Sequence, residues 1–146
     1  MKNNQPYMII QAGGRGSRLR HHTWNKPKCM VSIRGKPLLY HYFDSFPEFN
    51  FIIIGDYSYR NLENYLELNP PEVQFDLIRS KGKGTVSGIS FALSMIPSDT
   101  PVIISWSDLI FNDKPKFPYD NKIIVFTTSE FLCRWSVSSD NSLKEK

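Results

Sequence analysis

Cysteine is scarce in this chain. Cys29 and Cys133 are the only two in 146 residues, and they form neither a C-x-x-C pair nor a group with paired histidines. This excludes a disulfide framework and a cysteine-based metal site, and it fits reduced thiols in the cytoplasm. No apolar run approaches the roughly 20 residues needed to span a bilayer, so no membrane-spanning segment is expected. The opening Met1-Lys2-Asn3-Asn4-Gln5-Pro6 is polar and leads straight into the first apolar run, unlike a signal peptide. Internal repeats and low-complexity tracts are also lacking. Neither sign of charge dominates. The net charge of +4 comes from cations spread along the chain, which favours anionic small molecules weakly and does not argue for nucleic acid.

The composition is that of a folded domain, with 40% hydrophobic and 22% charged residues. A single domain over residues 1–146 is expected, large enough for a real core. Aromatics make up 14% of the chain and fall mostly inside apolar runs, which reads as core. Trp24 and Trp106 are read the same way, as packing residues and not stacking platforms.

Strand-like and helix-like segments alternate. Tyr7 to Gln11, Phe51 to Ile54, Val73 to Ile78, Val102 to Ile104 and Ile123 to Phe126 read as strands. Pro37 to Phe46, Tyr59 to Leu68 and Thr85 to Ile96 read as helices, the second stopped by Pro70-Pro71. Gly88 and Ala92 leave room for a close neighbour on the third helix. Continuous Ile/Val runs indicate strands covered on both faces. The expected fold is α/β, a Rossmann-like three-layer sandwich around a mainly parallel sheet. In such sheets ligands sit beyond the carboxyl ends of the strands. Ala12 to Lys28, Gly55-Asp56, Ser80 to Thr85 and Ser105 to Phe111 all fall there.

The first of these stretches carries the most chemistry. Ala12-Gly13-Gly14-Arg15-Gly16-Ser17-Arg18-Leu19 gives a loop with little side-chain bulk, and Lys26-Pro27-Lys28 brings cations close behind it. Bare backbone beside converging cations suits a polyphosphate. A Walker A loop requires a Lys-Ser/Thr pair that is missing here. A dinucleotide fingerprint requires a third glycine where Leu19 stands, and an acid well before Asp44.

On these residues the chain resembles the sugar-phosphate nucleotidylyltransferases. That family opens with a strand, then A-G-G-x-G-[ST]-R-L, a threonine, a P-K pair, and G-K-P-[LI] at the next helix. This chain has Ala12 to Leu19, Thr23, Pro27-Lys28 and Gly35-Lys36-Pro37-Leu38, with ten residues from Arg18 to Lys28. Gly84-Thr85 resembles the family's nucleobase-side loop. Ser107-Asp108 falls where a metal carboxylate stands, and Leu143 to Lys146 is similar to the start of an E-K-P motif.

The resemblance implies a GT-A-like nucleotidyltransferase fold and in-line attack of a sugar-1-phosphate on the α-phosphorus of a nucleoside triphosphate, with loss of pyrophosphate. Arg18 and Lys28 would be catalytic. Ala12, Gly13, Gly14, Gly16, Ser17, Gly84 and Thr85 would bind nucleotide. Asp108 would hold Mg²⁺, and Glu145 and Lys146 would meet the sugar phosphate. Lys26 competes with Lys28 for its role. Asp56 reads as a turn residue, His21 and His22 as loop surface, and Gln11 as either a polar contact near the base or a plain strand-end residue.

Family members usually run longer and carry a second metal aspartate after E-K-P. This chain is therefore expected to be either a fragment of a larger, multidomain protein or a naturally short relative, with a homo-oligomer left open, and to bind nucleotide better than it turns over. Two other functions fit the same first half. One is a non-catalytic nucleotide- or sugar-phosphate-binding module. The other is a cytidylyltransferase acting on a non-sugar phosphate such as phosphocholine.

Overall fold

The computed structural model describes residues 5–80, 84–111, 123–124, 135–140 and 143–145. The chain divides into two compact units, Met1–Lys116 and Phe117–Lys146. In the second unit, strands Trp135–Val137 and Leu143–Glu145 pair antiparallel.

The first unit opens with β1, Tyr7–Gln11, whose three central residues are buried. The glycine loop follows, then two 3₁₀ turns at Ser17–Thr23 and Lys28–Met30. A small hairpin of β2, Ser32–Ile33, and β3, Lys36–Pro37, leads into α1, Leu38–Ser45. Pro37 stands immediately before this helix, where its missing N–H costs no intrahelical bond. Next come β4 (Asn50–Gly55), α2 (Tyr59–Leu68), β5 (Phe75–Arg79), α3 (Thr85–Ser94) and β6 (Val102–Trp106). The two strands of the second unit are then β7 and β8.

The main sheet has the order β5-β4-β1-β6 and is parallel throughout. Alternation along each strand assigns its side chains to one face or the other. Ile9, Ile52 and Ile54 meet Ala92 of α3 on one face, joined by Ile78, Ile89 and Val102. On the other face Phe43 of α1 lies edge-on to Phe51, with ring centroids 5.0 Å apart, and Tyr40 of α1 meets Tyr65 of α2. Helices thus cover both faces, as the apolar strand runs imply. No helix among the described residues is long and apolar enough to cross a membrane.

Two sequence expectations change. Ile123 and Ile124 lie in no strand, and Ile123 is 97% exposed, so these two residues are not the start of a buried strand. Val125 and Phe126 lie outside the described residues. The packing role expected of Trp24 and Trp106 also fails, because they are 76% and 53% exposed. Trp24 sits in the loop after the first 3₁₀ turn. Trp106 ends β6, an edge of the four-stranded sheet, on the face where α3 reaches β1 and β4.

The contact of α3 with the sheet leaves no room for a larger residue at position 88. A Cβ built on Gly88 would lie 2.8 Å from Cγ2 of Ile54. Gly88→Val is expected to lower the unfolding free energy by about 1–3 kcal/mol, through overpacking against the Ile54 side chain in the buried cluster between α3 and the sheet. A urea titration compared with Ser90→Val, on the exposed side of the same helix, checks this.

Burial also keeps two acidic groups neutral. It pushes the Cys29 thiol up to about 12. It likewise pushes the Tyr42 hydroxyl up to about 12, reinforced by the nearby Asp108 charge and opposed in part by a hydrogen bond with Ser105. In the unfolded chain these groups lose their protons from their ordinary values of 9.0 and 10.0, while the native state still holds them. The folded state then binds more protons than the unfolded one, so stability falls as pH rises. The urea midpoint is expected to drop progressively above about pH 9, with little change from this source below it.

Candidate functional site

Parallel pairing aligns the strand exits. Gln11 of β1 is level with Ile54 of β4 and with Trp106 of β6. Each chain leaves the sheet tied to its neighbour. Ala12 donates to the Ile54 carbonyl at 2.9 Å, Ser107 to the Gln11 carbonyl at 3.2 Å, and Ser80 to the Gly55 carbonyl at 2.9 Å. The glycine loop, the β4–α2 turn and the β6 exit therefore start from one edge of the sheet.

The glycine loop rises from buried Ala12 and is exposed at Gly14, Arg15, Ser17 and Arg18. Gly16 has φ of 63°, a left-handed backbone that favours glycine, and its α-carbon faces the stem of Lys28. The loop is closed from below. Buried Thr23 donates its hydroxyl to the Gly16 carbonyl at 3.0 Å, and the Lys28 amide donates to the Gly14 carbonyl at 3.1 Å. Thr23 is thus a structural tie. Arg20, inside the first 3₁₀ turn, also has positive φ, at 50°.

Lys28 is the lysine that reaches across the site, and its Nζ pairs with a carboxylate oxygen of Asp108. Lys26 makes no ion pair among the described residues. Asp108 follows buried Ser107 in the turn after β6. The position of that turn is set from α1. The Tyr42 hydroxyl donates to the Trp106 carbonyl at 2.6 Å and lies 2.9 Å from the Ser105 hydroxyl. Arg18 is exposed and paired with no carboxylate among the described residues.

Gly84 and Thr85 begin α3. The side-chain amide of Gln11 donates to the Thr85 carbonyl at 3.2 Å, so Gln11 ties the end of β1 to the start of α3. His21 and His22 are exposed, with ring centroids 4.0 Å apart. Asp56 lies in the turn before α2, next to Gly13. Glu145 belongs to β8, paired with Trp135. Lys146 lies outside the described residues, as do Lys81, Lys83, Cys133 and residues 112–121. The structure thus joins Lys28 to Asp108 and holds the glycine loop and Thr85 on the same sheet edge, while Glu145 belongs to the other unit.

The motif reading did not anticipate the residues that support the loop. The Tyr57 hydroxyl lies 3.0 Å from the Thr23 carbonyl and 2.8 Å from that of Trp24. Ser58 and Asn61 both donate to the Asn25 carbonyl. The Arg15 guanidinium lies 5.3 Å from the centroid of the Tyr57 ring. One signal was available, since Tyr57 directly follows the strand-end pair Gly55-Asp56. Tyr42 was visible only as an aromatic in an apolar helix.

Three or more His, Cys, Asp or Glu side chains that could enclose a metal are found nowhere among the described residues. The single half-exposed carboxylate of Asp108 is instead the kind of ligand that Mg²⁺ accepts when water and phosphate complete its shell. The residues present fit a metal that arrives with its phosphate ligand.

Residues 8–116 match the MobA-like NTP transferase domain. The bifunctional protein GlmU of Methanocaldococcus jannaschii is 32% identical over 107 residues, covering 72% of this chain and 25% of that protein. The CTP:phosphoglutamine cytidylyltransferase of Campylobacter jejuni is 30% identical over 112 residues, covering 70% of this chain and 44% of the relative. Among solved structures, the CTP:phosphocholine cytidylyltransferase LicC of Streptococcus pneumoniae superimposes with a TM-score of 0.61 at 21% identity. That match covers 81% of this chain and 51% of LicC, and it speaks to the fold. The chain therefore spans between a quarter and about half the length of these proteins.

Tyr57→Phe removes the hydroxyl that holds the Thr23 and Trp24 carbonyls but keeps the ring beneath Arg15. Backbone amides between Gly16 and Lys28 are expected to exchange hydrogen several-fold faster, while global stability falls by only about 1 kcal/mol. Hydrogen-exchange mass spectrometry beside a urea titration checks this.

Proposed function

Because this chain belongs to the MobA-like NTP transferase domain family, we propose that its site transfers a nucleotidyl group from a nucleoside triphosphate to a sugar-1-phosphate. Pyrophosphate is the other product. The observation that carries this reading is the meeting of Lys28 and Asp108 at the mouth of the glycine loop. A phosphate-binding cation from the loop after β1 and a metal-type carboxylate from the turn after neighbouring β6 meet there.

Two polyanions must approach one another in such a reaction, so positioning and charge neutralisation supply most of the catalysis. The exposed backbone of Gly14 and Gly16 lets phosphate oxygens approach N–H groups without side-chain interference. Arg18 grips the triphosphate and offsets the charge that grows on the departing pyrophosphate. Lys28 draws the attacking phosphate toward the α-phosphate. Gly84 and Thr85 accept the base against the backbone where α3 begins, with Gln11 fixing that backbone to β1. Asp108 would hold Mg²⁺, which supplies Lewis-acid neutralisation of the phosphate oxygens when bound.

Transfer to a non-sugar phosphate is the second reading. It is supported by the relative named as a CTP:phosphoglutamine cytidylyltransferase, which this chain matches over a larger share of that protein's length than it matches GlmU. The compartment proposed for either activity is the cytoplasm.

Pyrophosphate release in the presence of Mg²⁺, measured across UTP, CTP, dTTP and GTP with sugar-1-phosphates and phosphocholine, tests both readings. Release with a sugar-1-phosphate is expected. Arg18→Ala is expected to lower the rate about 10²–10³-fold, the scale of one lost preorganised charge contact. Release with phosphocholine alone favours the second reading. Triphosphate binding without release for any acceptor favours a non-catalytic binding module.

A further inference from the structure

The two groups with opposite tasks at this site are bound to each other. Lys28 is the cation assigned to phosphate, and Asp108 is the carboxylate assigned to the metal, yet the lysine ammonium and the carboxylate form an ion pair. Both backbones are anchored on β1 or its loop. The Lys28 amide is held by Gly14 and its stem lies against Gly16. The turn of Asp108 is held by the Ser107 amide on Gln11 and by Tyr42 on Trp106. The side chains are 27% and 39% exposed, so the contact is neither sealed from water nor lost in it.

We infer that the Lys28–Asp108 pair selects for triphosphate that arrives complexed with a divalent cation, by holding the lysine closed against free triphosphate. The inference rests on the reading of this site as a nucleotidyltransferase. A free triphosphate must strip Lys28 from its partner and leave the Asp108 carboxylate unpaired beside its own negative oxygens. A metal-complexed triphosphate gives both groups new partners of opposite charge, so each side of the pair is exchanged and neither is abandoned. Metal and triphosphate then strengthen each other's binding through the pair, and by linkage the effect is reciprocal.

The inference predicts a reversal of sign. With Mg²⁺ present, Asp108→Asn binds triphosphate more weakly than wild type. With EDTA present, the same variant binds more tightly, by about two- to fivefold, the scale of a partly exposed ion pair. Simple relief of charge repulsion would also favour the variant in EDTA, but it would persist without the lysine. A double-mutant cycle separates the two. In a Lys28→Met background, Asp108→Asn should give little or no gain in EDTA. Lys28→Met alone should bind Mg²⁺ more tightly than wild type when no nucleotide is present.

The test is calorimetric titration of the full chain as wild type, both single variants and the double variant. The probe is whichever of UTP, CTP, dTTP and GTP wild type binds best in Mg²⁺, followed by Mg²⁺ alone. The reversal, its loss in the double variant and the tighter Mg²⁺ binding of Lys28→Met together support the gate. Wild type that binds with Mg²⁺ but shows no gain for Asp108→Asn in EDTA overturns the gate and leaves the nucleotidyltransferase reading standing. A gain that survives in the Lys28→Met background also overturns the gate. Wild type that binds none of the four triphosphates in Mg²⁺ overturns the gate and that reading together.

Discussion

The site depends on β1 being hydrogen-bonded in parallel on both flanks. Parallel strands end at the same edge of a sheet, so residues far apart in sequence leave it side by side. Here that edge carries the glycine loop from β1, the Tyr57 turn from β4 and the Asp108 turn from β6. The register Gln11–Ile54 and Gln11–Trp106 sets their relative heights. A slip of one residue would turn Ile9 and Ile10 to the wrong faces and carry the loop away from its partners.

That frame was the part most legible in the sequence. β1 is an apolar run from Tyr7 to Ile10 closed by Gln11 before Ala12-Gly13, and α2 combines Leu62 and Leu66 at helical spacing with a Pro70-Pro71 stop, so their bounds follow from local signals. The close approach expected at Gly88 and Ala92 is the contact of α3 with Ile54. Ile123 and Ile124 show the limit of such reasoning. An apolar pair indicates burial only when the chain brings something to cover it, and no local pattern records that. Trp24 shows the same limit, because it is aromatic yet stands in water at the tip of a loop.

The candidate site was legible as a set of residue types and only partly as an arrangement. Gly13 to Arg18, Lys28 and Asp108 stand out because charge and missing side chains leave a mark in sequence. The hydrogen bonds that hold them do not. Tyr57, Asn61 and Tyr42 act through side chain to backbone carbonyl contacts across long separations, and such contacts have no periodicity. A loop with three glycines has little rigidity of its own. Its shape is borrowed from α2 through Asn25 and from the buried hydroxyl of Thr23, which fits a role in presenting backbone N–H groups without prior reorganisation.

The central place of β1 also has a consequence for how the molecule assembles. Its partner on one flank begins at Asn50, but on the other flank Tyr7 must wait for Val102. The longer closure costs only slightly more entropy than the shorter one, but it is the more non-local pairing, and such pairings slow folding. Lys28 and Asp108 meet only after that closure. A chain emerging from the ribosome therefore carries its glycine loop, bare of the opposing carboxylate, until β6 and the turn after it have been made. Any ligand that engages both residues recognises the finished topology alone, and its binding adds to the stability of that state by mass action.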